Sequence, residues 1–133
     1  MNRRIKKEKS MAKKRLINNI MIAVKGIAYG FSRERNIKIQ MIIGWLVILF
    51  SIVLKIPRND LILIVFVSFL VIVLELVNTS FEKLIDFLHP TRHDEIRKIK
   101  DMMAGAVLLI VVLAVIVGIL VLYRPALSLL KVF

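Results

Sequence analysis

Residues 61–86 read LILIVFVSFLVIVLELVNTSFEKLID. From Leu61 to Leu74 the only polar side chain is Ser68; two glutamates, an asparagine and an aspartate then follow between Glu75 and Asp86. Those fourteen uncharged positions make about 21 Å of helix at ~1.5 Å each, short of the roughly 30 Å hydrocarbon thickness of a bilayer. The segment therefore spans only by running on into its acidic end. At about 100° per residue, Glu75, Asn78, Glu82 and Asp86 fall near 0°, 300°, 340° and 20°, so three carboxylates and an amide share one stripe. Ionisable groups at a membrane boundary are costly unless paired, hydrated or bound to a cation, which makes the stripe a candidate functional site.

The same pattern recurs on both sides. Of 133 residues, 59% are hydrophobic, against roughly 45 to 50% in soluble domains, and mean hydropathy is +0.81. Uncharged stretches run from Ile39 to Leu54 and from Met102 to Tyr123. The second of these is long enough to span unaided, and the first extends into its flank with Lys38 reaching back to the surface. The expected fold is an all-α membrane protein with transmembrane helices at about 34–55, 61–87 and 101–123.

The net charge of +12 raises nucleic acid as a partner, but the charges are distributed differently. Twelve of the 21 Lys and Arg precede the first span, five lie between Lys83 and Lys100, and the first loop and C-terminal tail hold two each. For three spans this is the positive-inside pattern: N-terminus and second loop cytoplasmic, first loop and C-terminus outside. The basic excess reads as topology and affinity for anionic lipid. No cysteine is present, which excludes disulfide and thiol chemistry. A cleavable signal peptide is not expected, because the basic start leads into an amphipathic segment without a short apolar core and a small-residue cleavage site.

Residues 1–14 form a basic head, expected to be mobile or to lie against acidic headgroups. In residues 16–31, Ile17, Ile20, Met21, Val24, Ile27 and Phe31 recur every three or four positions and mark a helix lying in the interface. Gly26 and Gly30 are expected to loosen its end, with Ser32 capping the next helix. Lys55 to Asp60 form a tight turn at Pro57, and Pro90 ends the second span. Asp94 can cap a short helix, DEIRKIKD, leading into the third. Ala104, Gly105, Ala106, Ala114 and Gly118 would let helices pack closely in lipid. Residues 15–133 make a single domain. Three spans offer few internal contacts, so an oligomer is expected.

A cluster of hard oxygen ligands suits Mg²⁺, which takes few carboxylates and completes its shell with water and phosphate oxygens. Glu34 faces the same interface as the stripe, and Lys100 with Asp101 opens the third span, a cation placed where phosphate would arrive. Neither GxxxxGK[ST] nor GxGxxG occurs among the five glycines. Any phosphate cradle must come from side chains and helix ends. His89 and His93 are separated by Pro90 and cannot face one another on one helix, which argues against zinc.

Taken together, KGIAYGFSRERN (25–36), ELVNTSFEKLID (75–86) and KDMMAGAVLL (100–109) resemble the bacterial integral-membrane diacylglycerol kinase and undecaprenol kinase family, over roughly residues 15–123. The resemblance implies a homotrimer whose active sites are shared between subunits, transferring the γ-phosphate of Mg-ATP to a membrane lipid alcohol. By position, Glu34 and Glu82 resemble the Mg²⁺ carboxylates and Glu75 the base that takes the lipid hydroxyl's proton. Asn78 would orient its carboxylate neighbours. Lys100 and Asp101 resemble the nucleotide-binding pair, with Arg15, Thr91, Arg92 and His93 also expected to contact ATP. Asn18, Asn19, Ile22 and Val24 depart from the diacylglycerol-specific members, and the RERN stretch is closer to the undecaprenol branch. The competing expectation is a non-catalytic membrane subunit whose acidic stripe serves helix assembly or ion passage.

Overall fold

The computed structural model describes residues 2–91 and 93–130, and among them it contains four α-helices and no strand. The basic run and the amphipathic segment form one continuous helix, α1 (Asn2–Arg33), 32 residues long and about 48 Å in length. No backbone break marks the expected boundary between head and surface helix. Ile17, Ile20, Met21, Val24 and Ile27 are all exposed, an apolar face of the kind that lies in a bilayer interface. This helix is one compact unit and residues 34–133 are the other.

The end of α1 differs from expectation. The helix continues through Gly26 and Gly30, and Ser32 lies inside it instead of capping its successor. The Ser32 hydroxyl donates back to the Tyr29 carbonyl at 3.0 Å, the local backbone bond that lets serine sit in a last turn. The break falls at Glu34, which is extended (φ −99°, ψ 122°) and precedes α2 (Arg35–Val53) without a side-chain capping bond.

At the far end of α2, the Lys55 N–H donates to the Ile52 carbonyl (3.0 Å) and the Ile56 N–H to that of Ser51 (3.4 Å). This is the Schellman arrangement, in which the residue after the cap is left-handed. Lys55 takes that place with φ 51°, and Ile56 tucks in, 9% exposed. The turn is tighter than expected, because Pro57 caps α3 (Arg58–Leu88) and Arg58, Asn59 and Asp60 already form its first turn. Asp60 there faces the positive end of the helix dipole.

At 31 residues, α3 is about 46 Å long and outruns the roughly 30 Å hydrocarbon layer by some 16 Å. Its apolar part and its acidic part are thus one rod, which carries the stripe to the membrane boundary. Beyond the end of α3, α4 (Asp94–Leu130) unites the expected short helix with the third span and continues past Tyr123 through Pro125. Helices α2, α3 and α4 are each long and apolar enough to cross a membrane.

The central rod, α3, packs against both neighbours. Three α2–α3 pairs fix an antiparallel register: Glu34 with Lys83, Gln40 with Glu75, and Gly44 with Ser68, whose Cβ lies 3.6 Å from where a Gly44 Cβ would stand. Ile37 on α2 and Ile64, Val67 and Val71 on α3 are all buried, as is Ile110 on α4. The small residues expected to bring helices together act differently within the chain, since a Cβ at Gly105 or Gly118 would meet nothing within 4 Å. Close approach occurs at Gly44 instead. Trp45, Phe66, Leu109 and Leu120 are exposed, as suits helices surrounded by lipid or by other copies.

Candidate active site

The acidic stripe of α3 passes from dry to wet along its length. Glu75 is 4% exposed and Asn78 6%, Glu82 is half-buried, and the Asp86 side chain is 65% exposed. Over these eleven steps α3 advances about 16 Å. Each of these four side chains makes at least one hydrogen bond or ion pair, directly or through a stripe neighbour. Gln40 Nε2 donates to Glu75 Oε2 at 3.0 Å; Asn78 Nδ2 donates to Glu82 Oε1 at 3.2 Å; Lys83 Nζ lies 2.8 Å from Glu34 Oε1; and Lys100 Nζ donates to both Asp86 oxygens, at 2.9 and 3.2 Å.

Among the described residues, two buried acceptors, Gln40 Oε1 and Asn78 Oδ1, have no hydrogen-bond partner. Buried polar atoms are normally satisfied, so such orphans mark places where a donor or cation belongs. Asn78 Oδ1 is attached to the side chain that holds Glu82, and Glu34 already attracts an ammonium. Among the described residues no three His, Asp or Glu side chains form a ready-made metal cage. Carboxylate and amide oxygens are, by their chemistry, the kind of ligand that Mg²⁺ takes, a cation that usually keeps waters and substrate phosphates as its other ligands.

Where α3 ends, a cleft of about 450 Å³ is lined by Asp86, Thr91, His93, Arg97, Lys100 and Asp101, among others. Four residues expected to contact nucleotide, Thr91, His93, Lys100 and Asp101, therefore converge on one cleft beside the wet end of the stripe. Lys100 is engaged by Asp86 across the turn and not by Asp101, its neighbour in sequence. Arg15 is exposed on α1, and Arg92 lies outside the described residues. On the dry side, a groove of about 510 Å³ runs between α2, α3 and α4 from Gln40 through Val67 and Val115 to Tyr123, lined almost wholly by apolar atoms.

Sequence reasoning overlooked Gln40 and Lys83. Gln40 had a signal, since it is an amide standing alone in the apolar run Ile39 to Phe50, where an unpaired polar group is expensive. Lys83 had none, because its pairing depends on how α2 and α3 are aligned.

A family model described as prokaryotic diacylglycerol kinase matches residues 21–122. A protein named diacylglycerol kinase from Synechocystis sp. (strain ATCC 27184 / PCC 6803 / Kazusa) is 37% identical over 115 residues, 86% of this chain and 66% of the relative's length. The match thus spans just under two thirds of that longer protein.

Proposed function

The chain belongs to the prokaryotic diacylglycerol kinase family, and on that premise we propose that it is an ATP-dependent lipid kinase acting on a membrane lipid alcohol. Undecaprenol is the first candidate acceptor and diacylglycerol the second. The observation that carries this reading is the gradient along α3, from a carboxylate 4% exposed at Glu75 to the open Asp86–Lys100 cleft. A lipid cannot leave the bilayer and ATP cannot enter it. Transfer between them needs a site that reaches from one phase into the other, and α3 has that form.

In this scheme Glu75 accepts the proton of the lipid hydroxyl as its oxygen attacks the γ-phosphorus, and ADP leaves. The apolar groove that ends at Gln40 holds part of the lipid chain, which limits the directions from which the hydroxyl can approach. Lys100, with Thr91, His93, Asp101 and Arg92, holds the nucleotide. Glu34 and Glu82 would hold Mg²⁺, which when bound neutralises charge on the transferring phosphoryl group. Asn78 keeps Glu82 in place through its 3.2 Å hydrogen bond. The protein works as a homotrimer with sites shared between subunits, its N-terminus cytoplasmic and its C-terminus outside. Exposed apolar side chains on every spanning helix are compatible with that assembly.

The test is an assay of purified protein with γ-labelled ATP and Mg²⁺, supplied with undecaprenol and diacylglycerol in parallel. Labelled lipid phosphate is expected from at least one, with undecaprenol preferred. No labelled lipid and no magnesium-dependent ATP consumption with either would overturn the kinase reading in favour of a non-catalytic membrane subunit.

A further inference from the structure

Resting on the kinase reading, we propose that Gln40 is a positioning residue of the transfer step, holding the Glu75 carboxylate in the orientation that meets the lipid hydroxyl. Four observations carry this. Gln40 Nε2 donates to Glu75 Oε2 at 3.0 Å, and this is the hydrogen bond to that carboxylate among the described residues. It connects two helices whose register is fixed nearby at Gly44 and Ser68. Gln40 also lines the apolar groove, so it stands between the space for the lipid chain and the carboxylate.

The fourth observation is the orphaned amide oxygen. Gln40 Oε1 is buried without a partner, an arrangement that burial alone disfavours. Turning the amide over would set Oε1 against the Glu75 carboxylate, two acceptors with no proton between them. The fold therefore leaves one acceptor unsatisfied and keeps the donor on Glu75. With Oε2 held, Oε1 of Glu75 is the oxygen left to take the hydroxyl proton. A carboxylate at the end of a flexible side chain has several staggered rotamers, and a single buried donor reduces them to one.

The assay compares wild type, Gln40→Met, Glu75→Gln and the double variant by initial rates at varied Mg-ATP and varied lipid alcohol. Methionine keeps length and apolar volume but removes the donor. Gln40→Met is expected to lower kcat by about 10- to 100-fold, the scale of a misplacement of about 1 Å, with KM for Mg-ATP unchanged. In the Glu75→Gln background the same substitution is expected to change the residual rate by less than about twofold, because a residue acting only through Glu75 has nothing left to position. Should Gln40→Met not fold, Gln40→Asn, with its amide one methylene short, is read against the same criteria. A kcat near wild type, or equal fold-losses in the two backgrounds, overturns the positioning role while leaving the kinase intact. An inactive wild type overturns the kinase reading, and the positioning role with it.

Discussion

Replacing Glu75 by Gln changes an oxygen to an amide nitrogen, and it separates chemistry from architecture at this site. Glu75 is 4% exposed and its carboxylate receives one neutral donor, Gln40, at 3.0 Å. A charge removed from water with so little compensation is a burden on the folded state. Glutamine escapes that burden, and its carbonyl oxygen still accepts from Gln40. The thermal midpoint of Glu75→Gln is therefore expected to equal or exceed that of wild type. Its turnover follows the opposite course, because an amide cannot take a proton at neutral pH. Loss of a positioned general base lowers rates by about 10²- to 10⁴-fold, or about 2.7 to 5.4 kcal/mol of barrier. Nucleotide affinity is expected to persist, since the cleft at Lys100 lies near Asp86, about 16 Å along α3 from Glu75. The measurements are single-turnover transfer of label to lipid, equilibrium binding of a non-hydrolysable ATP analogue with Mg²⁺, and unfolding in the same detergent. Turnover within about tenfold of wild type, smaller than a general-base effect, would refute the assignment. A parallel collapse of Mg²⁺-dependent nucleotide binding would refute it too, by making Glu75 a metal ligand.

Three other substitutions test different parts of the structure. Lys100→Met removes a donor from the cleft and an exposed ion pair with Asp86; the thermal midpoint is expected to change little, because exposed pairs contribute little to stability, while KM for ATP rises or kcat drops, and an unchanged kinetic profile would return the residue to a purely topological role. Lys83→Gln takes away an ammonium 2.8 Å from Glu34. If Lys83 competes with the metal there, half-maximal activity is reached at up to ~5-fold less Mg²⁺, the equivalent of about 1 kcal/mol for a partly exposed pair; an unchanged or increased Mg²⁺ requirement contradicts competition. Lys55→Gly relieves the left-handed backbone at φ 51° and is expected to raise unfolding stability by about 0.5 to 1 kcal/mol, read as a higher thermal midpoint with unchanged turnover.

Much of the site was legible because it lies on one helix. Once residues 61–86 are taken as helical, the stripe of Glu75, Asn78, Glu82 and Asp86 follows from rotation per residue alone, and its gradient from dry to wet follows from the order of apolar and acidic residues. Partners across helices were not legible. Lys100 and Asp101 appear as a pair in sequence, yet neighbouring residues on a helix point about 100° apart, and the structure gives Lys100 to Asp86 on α3. Ser32 has the composition of a cap, but its hydroxyl found the Tyr29 carbonyl first. Lys55 could not be seen as left-handed, because glycine normally signals that position.

The sequence by itself determined which segments cross the membrane, which end of the bundle gathers positive charge, and which residues of α3 share a face, since transfer of apolar surface out of water and helical periodicity act within a segment. Only the tertiary structure decided that Gln40 reaches Glu75, that Lys83 reaches Glu34, and that close packing occurs at Gly44 and Ser68 instead of at Gly105 or Gly118. Those pairings depend on the axial register and rotation of α2 and α4 against α3. A shift of one residue moves a side chain about 1.5 Å along the axis and 100° around it, enough to exchange every partner while leaving each helix, taken alone, unchanged.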